Sequence, residues 1–385
     1  MVKEQVLILT SVASMIDQFI MPNIKLLIKM GYQVHVACNF KEGSTCPEKQ
    51  IKLLENKLLE LNVLYHQIDF KRDVTRLLDN KKAYIQVHDL MKKNKFVFVH
   101  CHSPIGGVCG RLAGKSTNTK VIYTAHGFHF YKGAPLKNWI LYYPIEKWLS
   151  KYTDCLITIN EEDYNTAIKK HFKANNIKWV HGVGIDLCNF KPQVSEEKSQ
   201  IRKEYGYNED EFILLYVAEL SYRKHQDLLI NVARILKSKI PNFKVLLVGT
   251  GSLFEQYKKL IIEFNVDNQV ELLGYRNDIC NLMLLSDVAI STSRQEGLPV
   301  NVMEAMATGL PLVVSDIRGN SDLVKNEENG YVVSLDASEE FSALIERLYN
   351  DVKLRGKFGR KSLELVQKYS LENVLLEMEL IYKMY

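Results

Sequence analysis

Two glutamates eight residues apart, Glu296 and Glu304, stand in RQEGLPVNVMEAMATGLPLVVSD (residues 294–316), the strongest chemical signal in the chain. EGLP reads as the opening of a helix at about residue 299, with Pro299 in the first turn, where its missing N–H costs no hydrogen bond. The loop ahead exposes backbone N–H groups at the positive end of that helix, a ready cradle for a diphosphate. Glu304 then falls a turn or more inside, where a carboxylate can accept hydrogen bonds from ribose hydroxyls. Glu296 precedes the helix and is free to meet a sugar. Taken alone, the same letters fit equally well an acidic helix start followed by a solvated glutamate. His126 closes the apolar run KVIYTAH, ahead of Gly127 and several aromatics. A histidine there either packs at a strand end or faces a site, and the glycine and aromatics favour the site.

Other chemistries lack their residues. VLLVGTGSLF supplies Gly249 and Gly251 but puts Phe254 where a dinucleotide fingerprint needs its third glycine. His100 and His102 alternate on one strand and so point the same way, but no acidic partner lies near them in sequence to complete a metal site. The metal-diphosphate motif DxD and the nucleophile elbow G-x-S-x-G are absent.

The elements that would position these residues alternate apolar strands with amphipathic helices. Strand runs stand at 6–10, 32–38, 96–102, 120–126 and 155–160, with a helical stretch over 17–30 ending at Gly31. After HGVGIDLCNFKPQ and a charged stretch the rhythm restarts at 212–218, 244–249, 269–274, 287–292 and 310–316. The pattern predicts an α/β chain of two doubly wound Rossmann-like domains, with ligands at the carboxyl ends of the strands. A linker near residue 190 gives domains 1–190 and 191–362, followed by a helical tail over 363–385.

The 385-residue length suits two such domains, and 46% hydrophobic with 25% charged residues excludes a disordered or collagen-like chain. MVKEQVLILT runs straight into a strand with no cleavage site, which points to the cytoplasm. Seven cysteines without a CxxC pair read as reduced, mostly buried thiols. Residues 1–190 carry 26 Lys+Arg against 16 Asp+Glu, and residues 191–385 carry 24 against 29, so the first half is the basic one. An anionic partner therefore meets the first domain. Without an arginine-rich stripe or RNA-binding signature it is not nucleic acid, and an acidic membrane surface or a phosphate-bearing substrate fits better. Residues 129–152 interleave Lys132, Lys137, Lys147 and Lys151 with Trp139, Tyr142, Tyr143 and Trp148, either for an anionic membrane or as the packed face of a core helix.

EGLPVNVMEAMATGLPLVVSD resembles the E-x7-E signature of retaining family 4 glycosyltransferases, which have the GT-B fold of two Rossmann-like domains facing each other across a cleft. YTAHGFHFY (123–131), HGVGID (181–186), GTGS (249–252) and LLGYRNDICNLMLLSDVAISTSRQEG (272–297) match the same family in order. TSVASMIDQFIMPNIKLLIKMGYQVHVACNF and HCHSPIGG resemble the subgroup that builds bacterial capsule, exopolysaccharide or O-antigen units. The resemblance spans essentially the whole chain. It implies that Glu296 holds donor-sugar hydroxyls, that the N–H groups from Gly297 through Leu298 and Pro299 to Val300 hold phosphates, and that Glu304 binds ribose. Backbone groups of Gly274, Tyr275 and Arg276 would hold the nucleobase, His126 would stand near the sugar and leaving group, and Lys224 would neutralise the leaving diphosphate. By spacing alone, Lys224 in SYRKHQD is equally a solvated surface lysine.

Two departures stand out. Where many members have Gly-Arg-Leu, this chain has Ala218, Glu219 and Leu220, leaving Arg223 as the candidate second phosphate cation. The loop after the first strand has Ser11, Val12, Ala13 and Ser14 in place of paired glycines, with Gly106 and Gly107 supplying flexibility on the same edge. The implied enzyme needs no metal and no cofactor. Its donor is a nucleotide-sugar, expected to be a UDP-sugar, and its acceptor a polyprenyl-diphosphate-linked saccharide reached from the inner face of the cell membrane. The alternative is a non-catalytic sugar- or nucleotide-binding subunit of another transferase.

Overall fold

The computed structural model describes residues 3–42, 47–71 and 77–385, in two compact units: Met1–Val183 with Glu372–Tyr385, and Gly184–Leu371. The division lies at Val183/Gly184, ahead of the expected residue 190, and 363–371 stay with the second unit. Backbone pairing explains both shifts. Ile185 N–H donates to Tyr369 O (2.9 Å) and Leu371 N–H to Ile185 O (2.8 Å), so the outgoing and returning chains are bound to each other within the second unit. Gly184, at φ +83°, permits this, because a Cβ there would lie 2.8 Å from Leu371 Cα.

The first unit holds β1 (Gln5–Val12), β2 (Gln33–Asn39), β3 (Leu64–Gln67), β4 (Phe96–His102), β5 (Lys120–Ala125), β6 (Cys155–Thr158) and β7 (Asn176–Trp179). They form one sheet in the order β3-β2-β1-β4-β5-β6-β7, every neighbouring pair parallel. Val6, Leu7, Ile8 and Leu9 of β1 are fully buried, as a strand covered by helices on both faces must be. Helix Leu371–Tyr382 adds Val374, Met378, Ile381 and Tyr382 to the core beside β1 and β2.

The second unit holds β8 (Phe212–Val217), β9 (Phe243–Val248), β10 (Val270–Gly274), β11 (Val288–Ser291), β12 (Leu312–Ser315) and β13 (Gly330–Val333), in the order β10-β9-β8-β11-β12-β13, again all parallel. Three strands had no counterpart in the sequence pattern: β3, β7 and β13. Each is four residues long and lies at a sheet edge, and LYHQ and NIKW mix polar residues into a half-exposed ribbon that gives no apolar run.

The helical stretch after β1 begins at Ala13 rather than residue 17, and a π-helical turn over Ile16–Ile20 precedes the α-helix Met21–Lys29. Pro22, lacking an N–H, interrupts the regular ladder there. Gly106 and Gly107 belong to the buried start of helix Pro104–Thr117, and a Cβ on Gly107 would sit 2.4 Å from the Tyr123 ring. They serve close packing, not flexibility. Cys38, Cys101, Cys109 and Cys155 are buried free thiols, whereas Cys188 is exposed and Cys280 half-buried; Cys46 lies outside the described residues.

Candidate functional site

Each sheet reverses its strand order beside its first strand, between β1 and β4 and between β8 and β11, and the crevice outside the carboxyl ends at such a point is where ligands of these folds bind. In the second unit the loop after β8 carries Arg223 and Lys224, and the loop after β11 carries Glu296. Hydrogen bonds to the backbone hold the two loops in place. Arg294 N–H donates to Arg223 O (2.8 Å), Tyr216 OH to Lys224 O (2.8 Å) and Thr292 Oγ1 to His225 O (2.8 Å).

Lys224 Nζ consequently reaches Glu296 Oε1 at 2.5 Å, Ser293 Oγ donates to the same oxygen at 2.6 Å, and Arg223 Nη1 approaches Oε2 at 3.3 Å. The Glu296 side chain is 7% exposed and that of Lys224 12%. Burial works to raise the Glu296 carboxyl, but the Lys224 and Arg223 charges and the hydrogen bonds outweigh it and hold it below its ordinary value. A second layer fixes the segment from below. Arg318 Nε donates to Glu296 O (3.0 Å), and Gly319, at φ +81°, lets that loop approach so closely that a Cβ would lie 2.5 Å from Gly297 O.

Helix Val300–Ala307 starts one residue later than the sequence suggested. Pro299 is its N-cap in extended conformation and has no N–H, so only Gly297, Leu298 and Val300 carry an N–H in that stretch. Among the described residues no side chain caps the helix, which leaves its first-turn N–H groups without a side-chain acceptor. Glu304 stands inside this helix, half-buried and without a hydrogen-bond partner among the described residues, and burial alone pushes its carboxyl up to about 7. It meets neither Lys224 nor Arg223; its charge is felt by Cys280, on the helix that follows β10.

Gly274 ends β10 at φ +66°, and its carbonyl accepts from Gly249 N–H (2.8 Å). Gly249 and Gly251 are required by contact. A Cβ on either would fall 2.1 Å from the carbonyl oxygen of Ala218 or Leu220, so the GTG turn clamps the loop that leads to Lys224. Tyr275 is half exposed at this rim. The Arg276 guanidinium is held by Asp278 and lies 5.7 Å from the Tyr205 ring centroid.

His126 belongs to the first unit, just past β5. Its Nε2 lies 3.0 Å from His102 Nδ1, and the His102 ring in turn packs 4.1 Å from His100, centroid to centroid. His100 is fully buried, with Nδ1 2.9 Å from Tyr382 OH and Nε2 2.8 Å from Thr124 Oγ1. Burial pulls His126 down to about 4, and burial together with its histidine neighbours takes His102 well below the usual range, so both rings are neutral at physiological pH. Among the described residues no three His, Cys, Asp or Glu side chains converge as a metal-binding group. Ser293 and Arg318 escaped the sequence reading of the site, and His102 was weighed there only as a metal ligand with His100. Only Ser293, three residues before Glu296, left a local trace.

The helix Leu136–Leu149 turns Trp139 and Tyr143 inward against Phe130 and Tyr142 onto the His129 ring, while Leu136, Ile140, Leu141, Ile145 and Trp148 are exposed along one face. Of the four aromatics singled out from sequence, three therefore pack and Trp148 alone is outward. No described helix is long and apolar enough to cross a membrane.

Comparison with known proteins agrees with this fold. Residues 197–364 match the family described as Glycosyl transferases group 1, and residues 6–160 the family Glycosyl transferase 4-like. The chain is 38% identical over 370 residues to EpsD, named as a glycosyltransferase of Bacillus subtilis (strain 168), covering 95% of this chain and 93% of that protein. It is 29% identical over 323 residues to the Escherichia coli UDP-Gal:alpha-D-GlcNAc-diphosphoundecaprenol alpha-1,3-galactosyltransferase, covering 79% and 83%. The crystal structure of Anabaena HepE in complex with UDP-glucose superposes with a TM-score of 0.80 at 17% identity, over 99% of this chain and 100% of that one. Two parallel Rossmann-like sheets, with Glu296, Lys224 and the E-x7-E helix on the second, thus accompany full-length kinship: the chain belongs to the group 1 glycosyltransferases and has the GT-B fold.

Proposed function

We propose that this glycosyltransferase moves a sugar, with retention of anomeric configuration, from a UDP-sugar to a lipid-diphosphate-linked saccharide during bacterial surface polysaccharide synthesis. The observation that carries the proposal is the buried Lys224–Glu296–Ser293 cluster at the strand-order switch point, beside an uncapped helix bearing an unpartnered Glu304. Lys224 spends one of its three N–H bonds on Glu296 and keeps two for a diphosphate, with Arg223 and the helix N-terminus adding positive potential. The leaving group thus meets fixed charge without a metal. Glu296, pinned by three donors, positions the sugar and is not free to attack the anomeric carbon. In front-face displacement the anomeric carbon–oxygen bond to the diphosphate breaks as the acceptor hydroxyl oxygen bonds to the same face, and the departing phosphate oxygen takes the hydroxyl proton. The polyprenyl-linked acceptor is supported by the specificity named for the Escherichia coli relative, and UDP by the HepE complex.

A UDP-release assay run in EDTA tests these roles together. The wild type should remain active, and Glu296→Ala should lose far more turnover than UDP affinity. Activity that disappears in EDTA and returns with Mg²⁺ or Mn²⁺, or a Glu296→Ala variant that turns over like wild type, would contradict them.

The acceptor also calls for a membrane contact, and we assign it to the exposed face of helix Leu136–Leu149. Leu136, Ile140, Leu141 and Trp148 would enter the headgroup layer, with Lys137, Lys147 and Lys151 around them. Each lysine near an anionic surface contributes about 1 kcal/mol, so replacing all three by Glu should weaken binding to anionic vesicles by on the order of 10²-fold or more. Binding should fall with added salt. Equal binding to neutral and anionic vesicles, or none to either, would exclude this surface.

A further inference from the structure

The first unit has a small, partly open cavity beside His126, of about 20 Å³, room for one water molecule. Its walls are largely apolar, among them Ile20, Ile157 and Met378, but two buried polar atoms at it have no hydrogen-bond partner among the described residues: Nε2 of His102 and Oδ1 of Asn23. His102 is 2% exposed, and an unmade hydrogen bond at that depth costs about 1–3 kcal/mol. The two atoms are complementary. An amide oxygen only accepts, whereas a ring nitrogen can donate.

We propose that Asn23 and His102 form a relay, closed by one water in this cavity, that fixes the proton position on His126 and so presents its Nδ1 as a hydrogen-bond acceptor for a substrate hydroxyl. The order of protons follows from the end that can only accept. If His102 Nε2–H donates through the water to Asn23 Oδ1, then His102 Nδ1 carries a lone pair. Its 3.0 Å neighbour, His126 Nε2, must donate to it. A neutral ring with its proton on Nε2 has its lone pair on Nδ1. Both rings then hold the tautomer that imidazole favours in water, and His102 Nε2 and Asn23 Oδ1 are both paired. His100 does not compete for His102, because both its nitrogens are taken by Tyr382 and Thr124. Asn23 and His102 are positioning residues here, and the proposal rests on His126 meeting the substrate.

Long-range ¹H–¹⁵N correlation of the full chain labelled with ¹⁵N-histidine at pH 7.5 reads the tautomers directly, with His126→Gln to assign the signal. Wild-type His126 should be protonated on Nε2. In Asn23→Leu the water loses its acceptor, an N–H directed into an apolar cavity becomes unfavourable, and His102 should move its proton to Nδ1. His126, which Asn23 does not touch, should then switch to the Nδ1–H form. Turnover of that variant should fall about tenfold or more, as for a catalytic histidine held in the wrong tautomer, with KM for the nucleotide-sugar nearly unchanged. Asn23→Asp, which keeps the acceptor, should restore the wild-type tautomer. Nδ1–H on His126 in the wild type, or the same tautomer in Asn23→Leu as in wild type, would overturn the relay. Normal turnover by His126→Ala would instead remove His126 from the substrate site while leaving the tautomer result intact.

Discussion

Replacing Lys224 with alanine should lower turnover by on the order of 10²-fold or more, the loss seen when one preorganised charge-stabilising group is removed. The magnitude follows from where the ammonium is held. Its side chain is 12% exposed, its backbone carbonyl is bonded by Tyr216, and its Nζ is already aligned on Glu296, so little reorganisation precedes the reaction. Charge that develops on the diphosphate as the glycosidic bond breaks would meet a fixed cation in a poorly solvated site. Arg223 cannot replace it, because its side chain is 47% exposed and screened by solvent. The variant also leaves buried Glu296 with only Arg223 and Ser293, so thermal stability should fall modestly. Steady-state kinetics by released UDP decides the matter. A kcat within threefold of wild type would remove Lys224 from the leaving-group role.

The second large effect belongs to Glu304. Its carboxyl is raised to about 7 by burial and has no partner among the described residues, a costly arrangement that ribose hydroxyls would relieve by donating to the ionised form. Hydrogen bonds to a charged group contribute about 1.5–3 kcal/mol, so Glu304→Ala should weaken UDP binding by roughly 10- to 150-fold. The pH dependence has a definite sign. Binding favours the carboxylate, so affinity should climb from pH 6 to pH 8 and level off above, with protons released on binding near pH 7. Uridine, which has no phosphate to titrate in this range, should show the same slope, and Glu304→Gln should abolish it. Stability runs the opposite way. The folded value lies above the 4.5 of an ordinary glutamate, so the folded state binds more protons between the two, and stability is lost as pH rises towards and through 7. Glu304→Gln should therefore raise the melting temperature at pH 8 while weakening nucleotide binding. Calorimetry that finds UDP and uridine affinities independent of pH in the wild type would contradict the ribose assignment.

Legibility in the sequence followed range. Central parallel strands such as VLIL and FILLYV are buried on both faces and wrote themselves as unbroken apolar runs, and Pro299 marked the start of the donor helix to within a residue. Edge strands LYHQ, NIKW and GYVV, half relieved of burial or too short, did not. The joint at Gly184 and Leu371 was hidden because it is a pairing between segments nearly 190 residues apart, and HGVGID marked only that a break lay nearby. The same holds for the site. Glu296 and Glu304 are visible as a spacing, but Arg318 reaches the Glu296 backbone from the next strand's loop, and His102 reaches His126 across neighbouring strands. In the helix 136–149 the letters Trp139, Tyr142 and Tyr143 looked like a membrane belt, yet the 3.6-residue period turns them inward and brings out Leu136, Ile140 and Leu141 instead.

Turnover with a panel of nucleotide-sugars, measured as released nucleotide with and without a polyprenyl-diphosphate-linked saccharide, tests the central claim most directly. One UDP-sugar should release UDP, release should rise sharply with the lipid-linked acceptor, and the new product should keep the anomeric configuration of the donor. No nucleotide released from any donor, with or without acceptor, by protein that still binds UDP would contradict the account and identify the chain as a binding subunit.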